Sequence, residues 1–290
     1  MPQTDYLAPT SADQAVAALA QAGPAARVLS GGTDLLVQLR AGRLAAGLII
    51  DLKRIPEAVG IRREGGGFII GAATSGAMLG EHLALCEAWP GVVEAAQLIG
   101  STQIQGRASL AGNLCNASPA ADSVPALVAA NATCVVVGPG GRREVPVQSI
   151  PVAPGQTSLS AGEFVLEIRL PAVQPRSADA YLRSIPRTEM DIAVVGAGVN
   201  LTLDATGAIS SARVALGAVG PTVILSEEAA NAIVGSTLDE AALDRLDAAA
   251  RDASRPISDK RGTVEFRTRI AGVLARRVAK IAYERATLRA

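Results

Sequence analysis

Residues Arg27 to Gly42 read RVLSGGTDLLVQLRAG: a short apolar run, two adjacent glycines, then the first turn of a helix. Gly31 and Gly32 free the backbone for positive φ and let another group approach the main chain closely. Thr33 or Asp34 stands where a helix cap belongs, Leu35, Leu36 and Leu39 form the apolar face that follows, and Gly42 is a stop. The N–H groups of such a loop form a ready anion site, although the same pattern also makes an ordinary strand-to-helix turn. Upstream lies TSADQAVAALAQAG, with a Ser/Thr cap, Val16, Leu19 and Ala20 at helical spacing, and Gly23-Pro24 as its end. Downstream lies the strand GLIIDLK. Strand, loop, helix and strand in that order make a β-α-β unit with a parallel pair.

Further along, the character changes. From about Gly60 to Pro171 the apolar runs GFIIGAAT, ATCVVVG, REVPV and EFVLEIRLP alternate with helical segments near 75–89, 91–99 and 121–130. GPGG at 138–141 reads as a hairpin turn, and the layout is α+β. PAVQPRSADA (171–180) resembles a linker. After it, DIAVVGAGVNLTL, the tight turn DATG and AISSARVALGAV predict a small antiparallel sheet. The tail, Asp259 to Arg285, is helical, with Phe266, Ile270, Val273, Leu274, Val278 and Ile281 on the face that packs against that sheet. Arg267, Arg269, Arg276, Arg277 and Lys280 form its solvated or partner-facing side.

Composition narrows the function. The 290 residues suffice for about two domains. Lysine plus arginine and aspartate plus glutamate both number 27, so no net charge favours nucleic acid, and 2% aromatics leave no base-stacking platform. No apolar run reaches the roughly 18 residues of a membrane helix. The start, MPQTDYLAPTSADQ, does not read as a signal peptide, so the cytoplasm is expected. Cys86, Cys115 and Cys134 fit neither a zinc set nor a disulfide framework and are expected to be buried free thiols. The single histidine, His82, lies in the helical pattern SGAMLGEHLALCEAW with Met78, Leu79, Leu83 and Cys86, and reads as a surface or core-edge group. No catalytic side chain and no metal site emerges, so any enzymatic chemistry falls to a cofactor.

GRASLAGNLCNASPAADSVPAL, Gly106 to Leu127, is a second lean segment. Small residues dominate Ala108 to Asn113, and Asp122 precedes the helix SVPALVAAN. Interleaved amide and hydroxyl groups suit a pyrophosphate or sugar chain along the backbone. With the first loop this makes two phosphate-compatible segments, as a dinucleotide requires.

The pair SGGTD and ASLAGNLCNASPAAD, in that order, resembles the FAD-binding medium subunit of the molybdenum hydroxylases. That family includes the flavoprotein subunits of carbon monoxide dehydrogenase, quinoline oxidoreductase and 4-hydroxybenzoyl-CoA reductase, and the flavin domain of xanthine dehydrogenase. The resemblance implies a two-part FAD-binding domain over 1–175, divided into a small β-α-β unit (about 1–55) and a larger α+β unit (56–175). A smaller domain with an antiparallel sheet and helices follows over 176–290. It also implies the FAD contacts. A first pyrophosphate loop comprises Leu29, Ser30, Gly31, Gly32, Thr33, Asp34 and Leu35. The second, usually TIGGN, is Ser109, Leu110, Ala111, Gly112 and Asn113. Asn116 and Asp122 would meet the flavin's hydroxylated chain, Ile99 and Gly100 would lie beside the flavin, and Val165 would lie near the ring.

Arg183 stands where lysine is usual, which changes hydrogen-bond geometry. Ala108 and Ala111 stand where glycine is usual and add a Cβ near the phosphates. Asp122 and Asn113 could otherwise serve as helix caps, Ile99 and Val165 as core, and Tyr181 as a ring neighbour or an exposed hinge residue.

The implied function is electron transfer within a complex. A molybdopterin large subunit would oxidise substrate, a small subunit would carry two [2Fe-2S] clusters, and this chain's FAD would pass electrons to NAD or another acceptor, in a dimer of heterotrimers. Three scattered cysteines cannot supply the extra cluster of the 4-hydroxybenzoyl-CoA reductase branch. The rival is a self-contained flavin-dependent oxidase or reductase, for which no acid or base is evident.

Overall fold

The computed structural model describes residues 4–289. Met1 to Gln3, the beginning of the stretch read for a signal peptide, and Ala290, the last residue of the second expected domain, lie outside the described residues.

The opening unit contains β1 (Asp5–Leu7), α1 (Ala12–Ala22), β2 (Ala26–Leu29), α2 (Leu35–Arg40) and β3 (Leu48–Asp51). β2 and β3 are parallel, with Leu29 opposite Asp51. β1, too short to show an alternating pattern, pairs with the other side of β3. The Ser11 hydroxyl accepts from the Gln14 N–H to cap α1, whose buried face is Ala12, Ala15 and Leu19, while Ala20 is exposed. α2 departs from expectation. Asp34 precedes it without making a capping bond, and none of Leu35, Leu36 and Leu39 is buried, because the helix lies on a cavity rim instead of on the core.

The body that follows contains β4 (Ile61–Glu64), β5 (Gly67–Gly71), α3 (Gly76–Glu81), α4 (Leu83–Ala88), α5 (Pro90–Gln97), α6 (Thr102–Gln105), α7 (Leu110–Cys115) and α8 (Ser123–Ala129). It continues with β6 (Thr133–Gly138), β7 (Gly141–Pro146), the short hairpin β8 (Pro151–Ala153) and β9 (Gln156–Thr157), and β10 (Phe164–Leu170). Its antiparallel sheet runs β4-β5-β10-β6-β7. The three most apolar runs supply the inner strands, and IRRE, with no apolar alternation, supplies an edge. The GPGG turn closes the β6–β7 hairpin, with Gly141 at φ +97°.

The helix expected over 75–89 breaks at His82. The His82 Nδ1 accepts from the Leu85 N–H, and its ring meets Phe68 edge-on, which makes it a cap. Met78 and Leu83 remain exposed. Of the three free cysteines only Cys134 is buried; Cys86 and Cys115 are half-buried.

The connection is shorter than the expected 171–180 linker. β11 (Ser177–Ser184) already includes the buried Ser177, Ala178, Asp179 and Ala180, which pair in register with β12 (Val195–Leu203). β13 (Ile209–Gly217) and β14 (Ile224–Leu225) complete an antiparallel sheet. Helices α9 (Glu227–Asn231), α10 (Glu240–Ala253) and α11 (Val264–Leu288) follow, so the α+β expectation holds.

α11 begins later than Asp259 and, of the expected face, fully buries only Leu274 and Val278. Ala271, Ala275, Ala279, Ala282 and Ala286 line the interface with Leu274 and Val278, while Ile270, Val273 and Ile281 are half-buried and Phe266 is exposed. Gly272 explains why small residues were chosen: a Cβ there would fall 2.4 Å from the Asp247 carboxylate of α10. Arg267 is not solvated. It is buried and donates to the carbonyls of Val194 and Ala218 and to Asp259. Among the described residues no helix is long and apolar enough to cross a membrane.

Candidate functional site

A cavity of about 400 Å³ opens where the β-α-β unit meets the larger body. Ser30, Gly31, Gly32, Thr33, Asp34 and Leu35 form one wall. Ser109, Ala111, Gly112, Asn113 and Asn116 face them, and Ile99 and Val165 close the side. Among the described residues, none of the main-chain N–H groups of Gly31, Gly32, Thr33 and Asp34 donates to the protein.

The two glycine-bearing segments are held in direct contact. Gly32 has the expected positive φ, +84°, but Gly31 does not. At Gly31 the need is space: a Cβ there would fall 2.0 Å from the Arg107 carbonyl oxygen. The Ser30 hydroxyl donates to the Ala72 carbonyl (2.7 Å) and lies 2.6 Å from the Ser109 hydroxyl. Ser30 has one hydroxyl proton, so Ser109 is the donor of that pair. The Ser109 Oγ also accepts from the Gly112 N–H (3.1 Å). Gln38 reaches across and donates to the Asn116 Oδ1 (3.3 Å).

Read as a lean loop, the second segment is in fact helix α7 with Ser109 as its cap. Neither Ala108 nor Ala111 needs positive φ, so alanine fits the backbone where glycine is usual, and both line the cavity. Of the two capping candidates, Asn113 is the one that caps. Its Oδ1 accepts from the Ser123 N–H (3.2 Å) and Ser123 hydroxyl (2.7 Å), whereas Asp122 makes no capping bond to α8. Asn113→Ala is expected to lower stability by about 1 kcal/mol, measured by urea denaturation.

Five of the residues expected at the site do not line the cavity. Leu29 and Leu110 are buried beneath it. Gly100 turns at φ +70°, where a Cβ would strike Ile104. Asp122 and Arg183 meet at the junction of the two large units: the Arg183 Nη1 donates to the Asp122 Oδ2 (2.7 Å), and the Tyr181 hydroxyl donates to its Oδ1 (3.2 Å). Tyr181 is therefore buried, not an exposed hinge residue. Burial pushes the Asp122 carboxyl up to about 6, against the downward pull of Arg183 and Tyr181.

The cavity also has walls that no motif announced. Gln38, Ala72 and Phe164 contribute, and Glu163, paired with Arg143, stands among them. Cys115 lines it too, and burial pushes its thiol up to about 12, so it stays protonated at neutral pH.

Comparison with known proteins brings these features together. Residues 2–173 match the family described as FAD binding domain in molybdopterin dehydrogenase, and 180–282 match the CO dehydrogenase flavoprotein C-terminal domain. The carbon monoxide dehydrogenase medium chain of Afipia carboxidovorans is 34% identical over 97% of both chains. That of Hydrogenophaga pseudoflava is 32% identical over 98% of both. The solved structure of reconstituted CO dehydrogenase from Oligotropha carboxidovorans superposes with a TM-score of 0.93 at 34% identity, covering 98% of each chain. With both glycine-bearing walls inside the first match and the antiparallel sheet inside the second, the chain belongs to the family of FAD-binding flavoprotein subunits of molybdopterin dehydrogenases.

Proposed function

We propose that the cavity holds FAD, and that the chain carries electrons from [2Fe-2S] clusters of a small partner subunit to NAD or another acceptor while a molybdopterin subunit oxidises the substrate. The observation that carries the proposal is a row of four main-chain N–H groups, Gly31 to Asp34, that among the described residues have no protein acceptor and belong to residues lining the cavity, on a backbone kept bare by Gly31 and Gly32. Such a row suits an anion as large as a pyrophosphate. Ser109, Ala111, Gly112 and Asn113 form the opposite wall of that subsite, with Asn116 beside it. Ile99 and Val165 offer apolar surface to a ring. Leu29 packs beneath Gly32, and Asp122 with Arg183 ties the wall that bears Asn113 to the second sheet.

Bound FAD supplies one- and two-electron redox chemistry that amino-acid side chains lack. The chain's own residues bind, orient and shield it, and this division of labour requires no catalytic acid or base. The units 1–175, in parts of about 1–55 and 56–175, and 176–290 are taken as the cofactor-binding and partner-adjoining portions, assembled as a dimer of heterotrimers in the cytoplasm. The supporting likeness is to chains named as the medium chain of a dehydrogenase.

The test is reconstitution. FAD-loaded chain alone is expected to give no substrate-dependent dye reduction, and the assembled complex is expected to give it. Turnover of the organic substrate by the isolated chain, free of molybdenum protein, would overturn the proposal.

A further inference from the structure

Lys53 lies just beyond the carboxyl end of β3, behind the first loop. Its Nζ lies 2.8 Å from the Asp51 Oδ1 and donates to the Ser30 carbonyl oxygen at 3.0 Å. Asp51 is buried and held on its other oxygen by the Tyr6 hydroxyl (2.6 Å). Burial would push its carboxyl up, but the hydrogen bonds from Lys53 and Tyr6 outweigh this and leave it below its ordinary value. The ammonium is therefore anchored by an anion at neutral pH.

The Ser30 carbonyl belongs to the same planar peptide as the Gly31 N–H, and in a trans peptide the two point in opposite directions. A donor fixed on that carbonyl turns the N–H away from Lys53. Gly31 lines the cavity, and its N–H has no protein acceptor among the described residues. Gly31 and Gly32 carry no side chains that could hold this plane, and glycine tolerates several backbone conformations. An outside anchor must choose between them. A flipped plane would turn a carbonyl oxygen toward the bound anion.

We propose that Lys53 is a positioning residue for the cofactor's pyrophosphate: it fixes the Ser30–Gly31 peptide so that the Gly31 N–H faces the phosphates. The proposal rests on the cavity being the FAD site. A purely structural Lys53–Asp51 pair, with the lysine partly exposed, would contribute little to stability and nothing to ligand selectivity.

The experiment titrates deflavinated full-length chain with FAD and, separately, with riboflavin, which lacks phosphate. Lys53→Met is expected to weaken FAD binding by about tenfold or more, the scale of a hydrogen bond to a charged group. Its riboflavin affinity should stay within about twofold, as for a partly exposed pair that only stabilises the fold. Lys53→Arg keeps a cationic donor and should recover FAD binding to within about threefold of the parent. Equal weakening toward both ligands, or unchanged FAD affinity in Lys53→Met, would overturn the role assigned to Lys53. Full flavin retention by Gly31→Val would instead remove FAD from this cavity, and the Lys53 proposal with it.

Discussion

Gly31→Val is expected to emerge from gel filtration with almost no flavin and to lose roughly 3 kcal/mol of stability, the upper range for forcing atoms into a packed site. The new Cβ would fall 2.0 Å from the Arg107 carbonyl oxygen and 3.1 Å from the Ala108 Cα. Both obstacles are backbone. Ala108 cannot retreat freely, because its carbonyl accepts the Gly76 N–H at 2.8 Å, and Ser109 is tied to Ser30. The two walls of the cavity must therefore part.

A graded series separates this cause from general damage. At Gly112 a Cβ would meet the Ser109 hydroxyl at 2.9 Å, a side chain that can rotate at the cost of its capping bond, so Gly112→Val should lose less stability while still losing flavin. At Gly140 nothing lies within 4 Å, and Gly140→Ala should match the parent. Flavin absorbance per chain and a urea melt for each variant are the measurements. Full flavin occupancy in Gly31→Val would sink the assignment of the cavity.

Much of this site was legible in the sequence because its first wall is local. A strand, two glycines and a helix start are written consecutively from Arg27 to Arg40, and the parallel β2–β3 pair follows from them. What Gly31 avoids was not legible, since Arg107 reaches it only through the tertiary fold. Composition also misled. Ser109 to Asn113 is lean enough to read as a loop, yet small residues build a helix equally well when it must pack closely. In α11 the same bias toward large side chains picked Phe266 and Ile270 along with the buried Leu274 and Val278, whereas most of the buried stripe is alanine. Arg267 looked like one more solvated cation. It is buried because the carbonyls of Val194 and Ala218, where strands β12 and β13 adjoin loops, accept its N–H groups. Lys53 belonged to no motif, and only distances reveal its place behind Ser30.

Arg183→Met should destabilise the protein by about 3–5 kcal/mol at pH 8, the usual cost of removing one partner from a buried ion pair. Arg183 and Asp122 have 5% and 11% side-chain exposure and lie 2.7 Å apart, so water cannot replace the guanidinium. The pH dependence distinguishes this from lost packing. Burial already raises Asp122 to about 6 from its ordinary 3.8, so the folded state holds its proton more tightly than the unfolded chain does. The associated stability is fully present below about pH 4 and is lost as pH rises through about 6. Removing Arg183 deletes one of the interactions that oppose this rise, so the carboxyl moves higher and the loss continues to higher pH. The penalty of Arg183→Met relative to the parent should therefore be smaller at pH 5, where Asp122 is mostly neutral, than at pH 8, by up to about 2.7 kcal/mol, the limit that a carboxyl at about 6 sets over that interval. Asp122→Asn combined with Arg183→Met removes the stranded charge and should recover most of the loss at pH 8. Urea denaturation of the parent and both variants at the two pH values provides the check. An equal penalty at pH 5 and pH 8, or no recovery in the double variant, would show that Arg183 acts through packing alone and that the Asp122 charge does not need it.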